Sequence, residues 1–497
     1  MKKNISLLFC FTMSLVLISC NKWLDVKPST QVDREELFST EKGYADAVKG
    51  VYTQMSSGSL YGRDLTWRVI DALGGVYQVS NNAPFSDLGR YAYLVGDSYV
   101  STTSITLVEN FWTKIYNAIA GINSILEKID DNKDIFTEDN YSVLKGEMMG
   151  LRAFLHFELL RLYGDVYEKC RDESVLPFVF ELTPFVTPEL TGEQAITLII
   201  SQLEEAVKLL EKDPMRLGIT PSDVLASIPL ISASNGIYVW HNRRFHFNYY
   251  AAKATLSRVY LWKGDDASKA EALKFALEVI GEQETRFPWV LPANLASIAS
   301  ETSYNQDRTF ASEHIFALNV TNMDELISGY HNSMVSSGSS ELFLQTNTFT
   351  TNEQGADPRY RYLYVLRGAG QPFLTKFYQP ERTFAFFKAR MPLLRISEMY
   401  YIAAECTPDW QDGLRYLETV RNQRGMTSLP LNNVNSAAML QNEIYNEYRK
   451  EFMGEGQMWF YYKRHQMATI PNMTNFKGAR AYIFPRPENE DLYGKRN

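Results

Sequence analysis

Aromatic rings interleaved with amide and carboxylate side chains form the pattern in this sequence that is best suited to ligand chemistry. The candidate contact residues are Tyr77, Asn82, Phe85, Trp289, Tyr304 and Tyr330. A sugar ring has one relatively apolar face that stacks on an aromatic ring, while its rim hydroxyls bond to amides and carboxylates. The pattern therefore predicts a carbohydrate-binding surface. The alternative is that these rings belong to the core, because Tyr and Trp are heavily buried on average.

Patterns for covalent or metal chemistry are absent from the sequence. It has no His-Glu-x-x-His, no Cys-x-x-Cys, no Gly-x-Ser-x-Gly and no phosphate-binding loop ending in Gly-Lys-Ser/Thr. Asp and Glu are numerous enough that a glycosidase pair can be imagined, but nothing singles one out. We therefore predict a binding protein that is not an enzyme and has no catalytic residue, metal or cofactor, with a structural Ca²⁺ left open.

The first twenty residues predict export and lipid attachment. A short basic segment precedes a mostly apolar stretch over residues 5–18, which is too short to span a bilayer and is typical of a secretory signal. The stretch ends in Leu-Ile-Ser before Cys20, which resembles a bacterial lipobox, where the cysteine is acylated and the signal is cut before it. We predict a signal peptide over residues 1–19 and lipidation of Cys20. The alternative is an ordinary signal with an incidental cysteine.

Helical periodicity dominates the rest of the chain. Apolar residues recur every three or four positions over residues 44–55, 108–126 and 196–210, and a further helix is expected over 141–163. The best strand candidate is 314–320.

A hint of internal repetition accompanies this periodicity. Residues 248–280 read as two helices joined at Gly264, which resembles a tetratricopeptide unit, and residues 396–424 repeat the pattern less well because Pro408 occupies the turn. We expect a mainly α fold built from paired helices.

Two regions lack a sustained helical period and carry the candidate ligand residues. They are residues 58–106 and 282–392, rich in Gly, Ser, Asn and Asp as well as aromatic rings. Loops of this length in a compact domain are usually functional. The expected organisation is one domain over residues 20–497, with a loop-rich layer on a helical body.

Composition and charge exclude several classes of protein. The chain has 497 residues, 45% hydrophobic and 22% charged, which is typical of a globular protein. The net charge of −8 argues against a nucleic-acid surface, which normally has a basic excess. Four Cys are too few for a disulfide scaffold in a chain of this length. A bond between Cys170 and Cys406 is left open.

An ordered series of motifs covers the C-terminal third. It comprises PLLRISEMYYIAAE at 392–405, LETVRNQRG at 417–425, YRKEF at 448–452, GEG at 454–456, WFYYKR at 459–464 and FPRPENE at 484–490. These segments resemble the SusD/RagB family of outer-membrane lipoproteins, with hallmark helices over about 392–465. Segments at 24–28, 151–165 and 251–264 are also similar to that family, so the resemblance spans essentially the whole mature chain.

Charged residues in these motifs alternate in sign along helices and predict salt-bridged faces rather than a catalytic pair. They are Arg395, Glu398, Glu405, Arg421, Arg424, Arg449, Glu451 and Glu455. Three places depart from the family pattern. Tyr448 stands in place of a usual Arg, Tyr461 in place of a usual Asp, and Gln457-Met458 in place of a more basic pair.

The resemblance implies a SusD-like αα superhelix with tetratricopeptide-like helix pairs and a loop-rich binding layer. It also implies a lipid-anchored outer-membrane protein facing the cell exterior, which captures a glycan or oligosaccharide and delivers it to a SusC-like TonB-dependent transporter. We keep three alternatives. They are a RagB-like peptide-binding lipoprotein of the same type of uptake complex, a surface glycoside hydrolase, and a tetratricopeptide-type scaffold that binds only protein.

Overall fold

The computed structural model describes residues 34–78, 102–217, 243–291, 307–331, 343–367, 371–379, 387–471 and 481–494. Within these ranges the chain is mainly helical, as the periodicity predicts.

Nineteen helices alternate with short strands along the described chain. The helices are α1 (Arg34–Leu37), α2 (Glu41–Met55), α3 (Val69–Leu73), α4 (Thr102–Ile129), α5 (Asn140–Tyr163), α6 (Tyr167–Cys170), α7 (Gly192–Leu209), α8 (Pro214–Leu217), α9 (Tyr249–Lys263), α10 (Asp266–Ile280), α11 (Gln283–Arg286), α12 (Met323–His331), α13 (Thr351–Ala356), α14 (Pro358–Leu363), α15 (Ile396–Cys406), α16 (Trp410–Gln423), α17 (Ala437–Glu451), α18 (Gln457–Arg464) and α19 (Glu488–Tyr493). The strands are β1 (Ser174–Pro177), β2 (Glu189–Thr191), β3 (His314–Asn319), β4 (Tyr364–Arg367), β5 (Gln371–Leu374) and β6 (Arg390–Arg395).

The long helices pack against one another nearly in chain order. Helix α2 packs on α4, α4 on α5, α5 on α7, α7 on α9, α9 on α10, α10 on α15, and α15 on α16. Each helix thus buries its apolar face against the next pair along the chain, which leaves little need for a sheet. This succession of helix pairs is the expected mainly α architecture.

The pair α9 and α10 has the features of a tetratricopeptide-like unit that the sequence predicts. Asn248 caps α9, since its side-chain oxygen accepts from the backbone N–H groups of Tyr250 and Ala251 at 3.0 Å. Gly264 ends the helix with φ of +79°, a conformation that favours glycine. The Ser257 hydroxyl donates to the Ala272 carbonyl at 2.8 Å, so the two helices approach closely.

The pair α15 and α16 forms despite its weaker sequence pattern. Asp409 caps α16 by accepting from the Gln411 N–H at 2.9 Å, which gives the helix a start even with Pro408 in the turn. Gly413 lies where α16 crosses α15, and a Cβ there would come within 2.5 Å of the Ala404 carbonyl oxygen. A glycine inside the helix therefore sets the distance between the two.

The strands form three two-stranded antiparallel sheets. Strand β3 confirms the strand predicted at 314–320, and it pairs with β6, which leads directly into α15. Helix α4 begins at Thr102, so the last five residues of the first loop-rich region, 102–106, are helical. The second region contains the short helices α11 to α14, the strands β3 to β5 and the start of β6, elements too short to give a sustained period.

Candidate functional site

The two loop-rich regions meet in a short backbone contact. Tyr77 pairs with Leu344 in an antiparallel bridge, and the Gln78 N–H donates to the Phe343 carbonyl at 2.7 Å. The side-chain amide of Gln345 donates to the Tyr77 carbonyl at 2.7 Å, and that of Gln78 donates to the Leu344 carbonyl at 2.8 Å. The chain that follows Gln78 and the chain that precedes Phe343 therefore start from neighbouring points.

The buried side chain of Tyr77 stabilises this contact. Its side chain is 2% exposed, and its hydroxyl donates to the Trp67 carbonyl at 2.6 Å. Trp67 is itself buried and donates from its indole N–H to the Gly62 carbonyl at 3.1 Å. In this conformation Tyr77 has no open face against which a sugar could stack, contrary to the contact role predicted for it, so we assign it a positioning role.

Trp289 is only partly buried. Its ring centroid lies 5.2 Å from that of Tyr400, and the guanidinium of Arg424 lies 5.4 Å from the indole centroid. The neighbouring Leu291 is 53% exposed, so this part of the second loop-rich region reaches the surface. Trp289 therefore remains a candidate for ligand contact.

The other candidate positions lie at or beyond the edges of the described chain. Cys20, Asn82, Phe85 and Tyr304 are outside the described residues. Tyr330 lies near the end of α12, and only its backbone is described. Their ligand contacts stay predictions.

A buried carboxylate fixes the first loop-rich region to the C-terminal motifs. Asp71 in α3 accepts from the backbone N–H groups of Gly454 and Gly456, the latter at 2.9 Å. Both glycines have positive φ, and a Cβ on Gly456 would lie 2.5 Å from the Leu65 carbonyl oxygen. Burial raises the pKa of the Asp71 carboxyl to about 8, against the lowering effect of the two N–H groups. The Gly-Glu-Gly motif is thus a docking point for the loop.

A small depression opens beside this docking point. Its lining residues are Gly74, Gly75, Val76, Thr348, Arg449, Met453, Met458 and Tyr462. The Arg449 guanidinium, predicted to form a salt bridge, instead donates to the Asn347 side-chain oxygen at 3.2 Å. Sequence reasoning missed this place, because its lining comes from three distant segments.

The charged residues of the C-terminal motifs form a buried cluster, which we call the C-terminal ion cluster. Six cationic and six anionic side chains make it up, all buried, and they are Arg359, Lys376, Arg395, Arg421, Arg424, Lys450, Glu313, Glu353, Asp357, Glu447, Glu451 and Glu455. The predicted ion pairing is confirmed for those members of the cluster that belong to the C-terminal sequence motifs. Elsewhere, Glu398 pairs with Arg258 at 2.6 Å and Glu405 pairs with Arg464.

Glu451 lies at the centre of the C-terminal ion cluster. Its carboxylate contacts Arg395 and Arg424 at 2.6 Å and Arg359 at 2.9 Å. Burial alone would raise the pKa of Glu451, but the guanidinium groups of Arg424 and Arg395 hold it well below its ordinary value. A carboxylate that is buried and bonded to three guanidinium groups suits a structural role better than proton transfer.

Aromatic rings occupy two of the positions that depart from the family pattern. The ring centroids of Tyr448 and Tyr461 lie 5.0 Å apart, and those of Tyr445 and Tyr461 lie 5.8 Å apart. Tyr448 also packs on Phe452 at 4.4 Å. Packed aromatic rings thus hold α17 and α18 together at these two positions.

Three further observations limit the chemistry of the described chain. Cys170 and Cys406 are both free and buried, so the disulfide left open by the sequence is not formed. Among the described residues, no group of three or more His, Cys, Asp or Glu is arranged to hold a metal ion. Over the same ranges, we find no helix with the length and apolar character needed to span a bilayer.

Comparison with known proteins adds the family. Residues 22–261 match a family model described as "Starch-binding associating with outer membrane", and residues 296–495 match the model of the SusD family. A SusD-like protein of Formosa agariphila is 21% identical over 492 residues, which cover 92% of this chain and 90% of that protein. Another from the same organism is 25% identical over 195 residues, 38% of this chain, and the alignment spans only 34% of that relative.

Solved structures share the fold over nearly the whole chain. A SusD-like carbohydrate-binding protein from Bacteroides vulgatus is 17% identical with a TM-score of 0.66, covering 91% of this chain and 96% of that one. A laminarin-binding SusD-like protein is 18% identical with a TM-score of 0.63, and the match covers 92% of this chain and 98% of that one. Surface glycan-binding protein A from Bacteroides thetaiotaomicron, solved with laminarihexaose, is 16% identical with a TM-score of 0.61. The match covers 91% of this chain and 97% of that one. Two family models covering most of the sequence, together with this shared fold, show that the chain belongs to the SusD/RagB family.

Proposed function

We propose that this protein captures a glycan or oligosaccharide at the cell surface and delivers it, without breaking a bond, to a SusC-like TonB-dependent outer-membrane transporter. The observation that carries the proposal is the contact between the two loop-rich regions at Tyr77 and Leu344. It joins the two regions whose sequences carry the candidate aromatic and amide residues. The family description and the two glucan-binding structural neighbours support a glycan as ligand.

Binding by stacking explains the residue types of the proposed site. Phe85 from the first region and Trp289, Tyr304 and Tyr330 from the second would provide flat apolar faces, and Asn82 would bond to rim hydroxyls. The ion clusters of the helical body are already internally paired, so ligand selectivity falls to the loops.

Delivery depends on the predicted anchor. Acylation of Cys20 with three chains would hold the protein at the membrane far more firmly than one chain does. A tether raises the local concentration of captured ligand beside the transporter. The family's association with the outer membrane supports this location.

A glycan-binding screen on the chain that starts at residue 21 tests the proposal. Laminarin, laminarihexaose and starch are the first ligands, with calorimetry of every hit. We expect Phe85→Ala, Trp289→Ala and Tyr304→Ala each to weaken binding roughly tenfold, as for a central aromatic contact. Tyr493→Ala is the matched control, because Tyr493 is 71% exposed on α19, outside both loop-rich regions.

Two outcomes would replace the proposal. Retention of peptides without any glycan would favour the RagB-like peptide binder. New reducing ends after incubation with a bound polysaccharide, lost when one carboxylate is replaced, would establish a hydrolase. For the transporter, the full chain is purified from its native membrane, where we expect a SusC-like barrel to co-purify and Cys20→Ser to abolish this association.

A further inference from the structure

The hairpin of β1 and β2 carries a run of exposed apolar side chains. In the connecting loop, Phe180, Leu182, Phe185 and Val186 are 41%, 42%, 79% and 43% exposed. Scattered surface apolar residues are ordinary, but several together on one projecting loop mark a contact surface. Only one charged residue, Glu181, occurs within residues 180–188.

The base of this loop is held firmly by α4 and α5. The Asn123 amide donates to the Val179 carbonyl at 2.9 Å, and the Val179 N–H donates to the Nε2 atom of His156 at 3.1 Å. The Arg152 guanidinium donates to the Phe180 carbonyl at 3.2 Å and lies 4.9 Å from the Phe180 ring. The exposed apolar side chains therefore project from a loop whose base is hydrogen-bonded to α4 and α5.

The loop base and the start of the described chain meet on the same turn of α4. The Arg34 side chain donates to the Ser124 hydroxyl at 3.1 Å and pairs with Glu127 at 2.7 Å. Ser124 directly follows Asn123, the residue that holds the loop. Cys20 lies fourteen residues before Arg34, a length of chain that reaches at most about 50 Å when extended. A lipid anchor on Cys20 therefore limits the distance between this side of the protein and the membrane to about 50 Å.

We propose that the loop of residues 180–186 inserts its apolar side chains into the lipid surface in which Cys20 is anchored. The inference rests on the proposed lipid anchor. An anchor at Cys20 alone limits the distance of the protein from the membrane but does not fix its orientation. A second contact through Phe185 and its apolar neighbours fixes the orientation as well, and it buries surface that water otherwise solvates.

A polarity-sensitive fluorophore on Phe185→Cys tests the insertion. The native cysteines do not interfere, because Cys170 and Cys406 are buried and burial raises the pKa of their thiols to about 11 and about 12. The full lipidated chain is reconstituted in phosphatidylethanolamine and phosphatidylglycerol vesicles. We expect a blue-shifted emission that spin-labelled lipids quench. The same fluorophore on Leu277→Cys, a 37% exposed position on α10, should show neither effect.

A second way of attaching the protein to a membrane tests the insertion of the loop independently of the proposed lipid anchor. A chain with an N-terminal hexahistidine in place of residues 1–20 is held on nickel-chelating lipid, which needs no acylation of Cys20. Insertion at residue 185 on this surface supports the proposal even if the native chain proves not to be acylated. Emission unchanged from that in solution on both surfaces overturns it. A shift seen only in membranes that contain the transporter also overturns it, since the loop would then contact protein.

Discussion

Asp71 is the single residue on which the attachment of the first loop-rich region depends most. Its carboxyl accepts from Gly454 and Gly456 in a fully buried place. Asp71→Asn turns an amide N–H₂ toward one of these N–H donors and should lower the free energy of unfolding by about 1–3 kcal/mol at low pH. Asp46→Asn, at an exposed pair on α2, is the control and should change it by less than about 0.5 kcal/mol. Urea denaturation measures both.

The same carboxyl should give the protein a distinct pH dependence. Burial raises its pKa from 3.8 to about 8, so the folded state binds a proton that the unfolded state has lost. The stability that this proton contributes is present below about pH 4 and is lost as pH rises through about 8, at up to about 1.4 kcal/mol per unit. The advantage of wild type over Asp71→Asn should therefore shrink and then reverse between pH 5 and pH 8, since the loss over this range exceeds about 1–3 kcal/mol. An unchanging difference would mean that the two glycine N–H groups keep Asp71 ionised throughout.

At the residue scale, the sequence predicts which side chains pair with each other better than it predicts which side chains are buried. Opposite charges in the C-terminal motifs indicate ion pairs, and Arg395, Arg424 and Glu451 form them. Whether a loop aromatic is exposed depends on distant segments, however, and Tyr77 is covered because its hydroxyl meets the Trp67 carbonyl. The bond from Arg449 to Asn347 likewise joins residues about a hundred positions apart, which no local pattern could reveal.

At the element scale, Gly413 is the residue that sets the approach of α16 to α15. A Cβ at Gly413 would meet the Ala404 carbonyl oxygen at 2.5 Å, and Gly50 in α2 has nothing within 4 Å. Gly413→Ala should therefore lower the free energy of unfolding by about 1–2 kcal/mol, because overpacking outweighs the better helix propensity of Ala. Gly50→Ala should instead raise it by roughly 0.5–1 kcal/mol. Thermal unfolding of the two variants checks this, and a stabilising Gly413→Ala would contradict the close crossing.

The long helices could be predicted because their periodicity and termini are local signals. Residues 44–55 and 141–163 fall within α2 and α5, and Gly264 ends α9 as expected. Strand β3 could also be predicted, but the helices α11, α13 and α14 and the strands β4 and β5 could not, since four to six residues give no period and gain their stability from tertiary contacts. The role of Gly413 was also hidden, because a glycine inside a helix usually signals weakness rather than a crossing.

At the scale of the whole molecule, side-chain amides join the two loop-rich regions to each other at the edge of a helical body. The ion cluster, the stacked tyrosines and the docked Gly-Glu-Gly motif are packed inside the body, and Gln78 and Gln345 join the two regions at its edge. Composition assigns the candidate site to these two regions, and that assignment stays a prediction. Its precise contacts depend on how chain segments more than 260 residues apart are brought together.

If glycan binding needs both regions, loosening their contact should weaken binding more than folding. Gln78→Ala with Gln345→Ala removes the two amide bonds to Leu344 and Tyr77, while the backbone bridge remains. Each such bond contributes about 1 kcal/mol, so we expect glycan affinity to fall roughly tenfold in calorimetry. Gln441→Ala is the matched control. It removes a hydrogen bond from the Gln441 amide in α17 to the Tyr461 hydroxyl, outside both loop-rich regions, and should leave affinity unchanged. Equal affinity in both variants would show that one region binds the ligand alone, since a site shared between the regions cannot tolerate the loss of their contact.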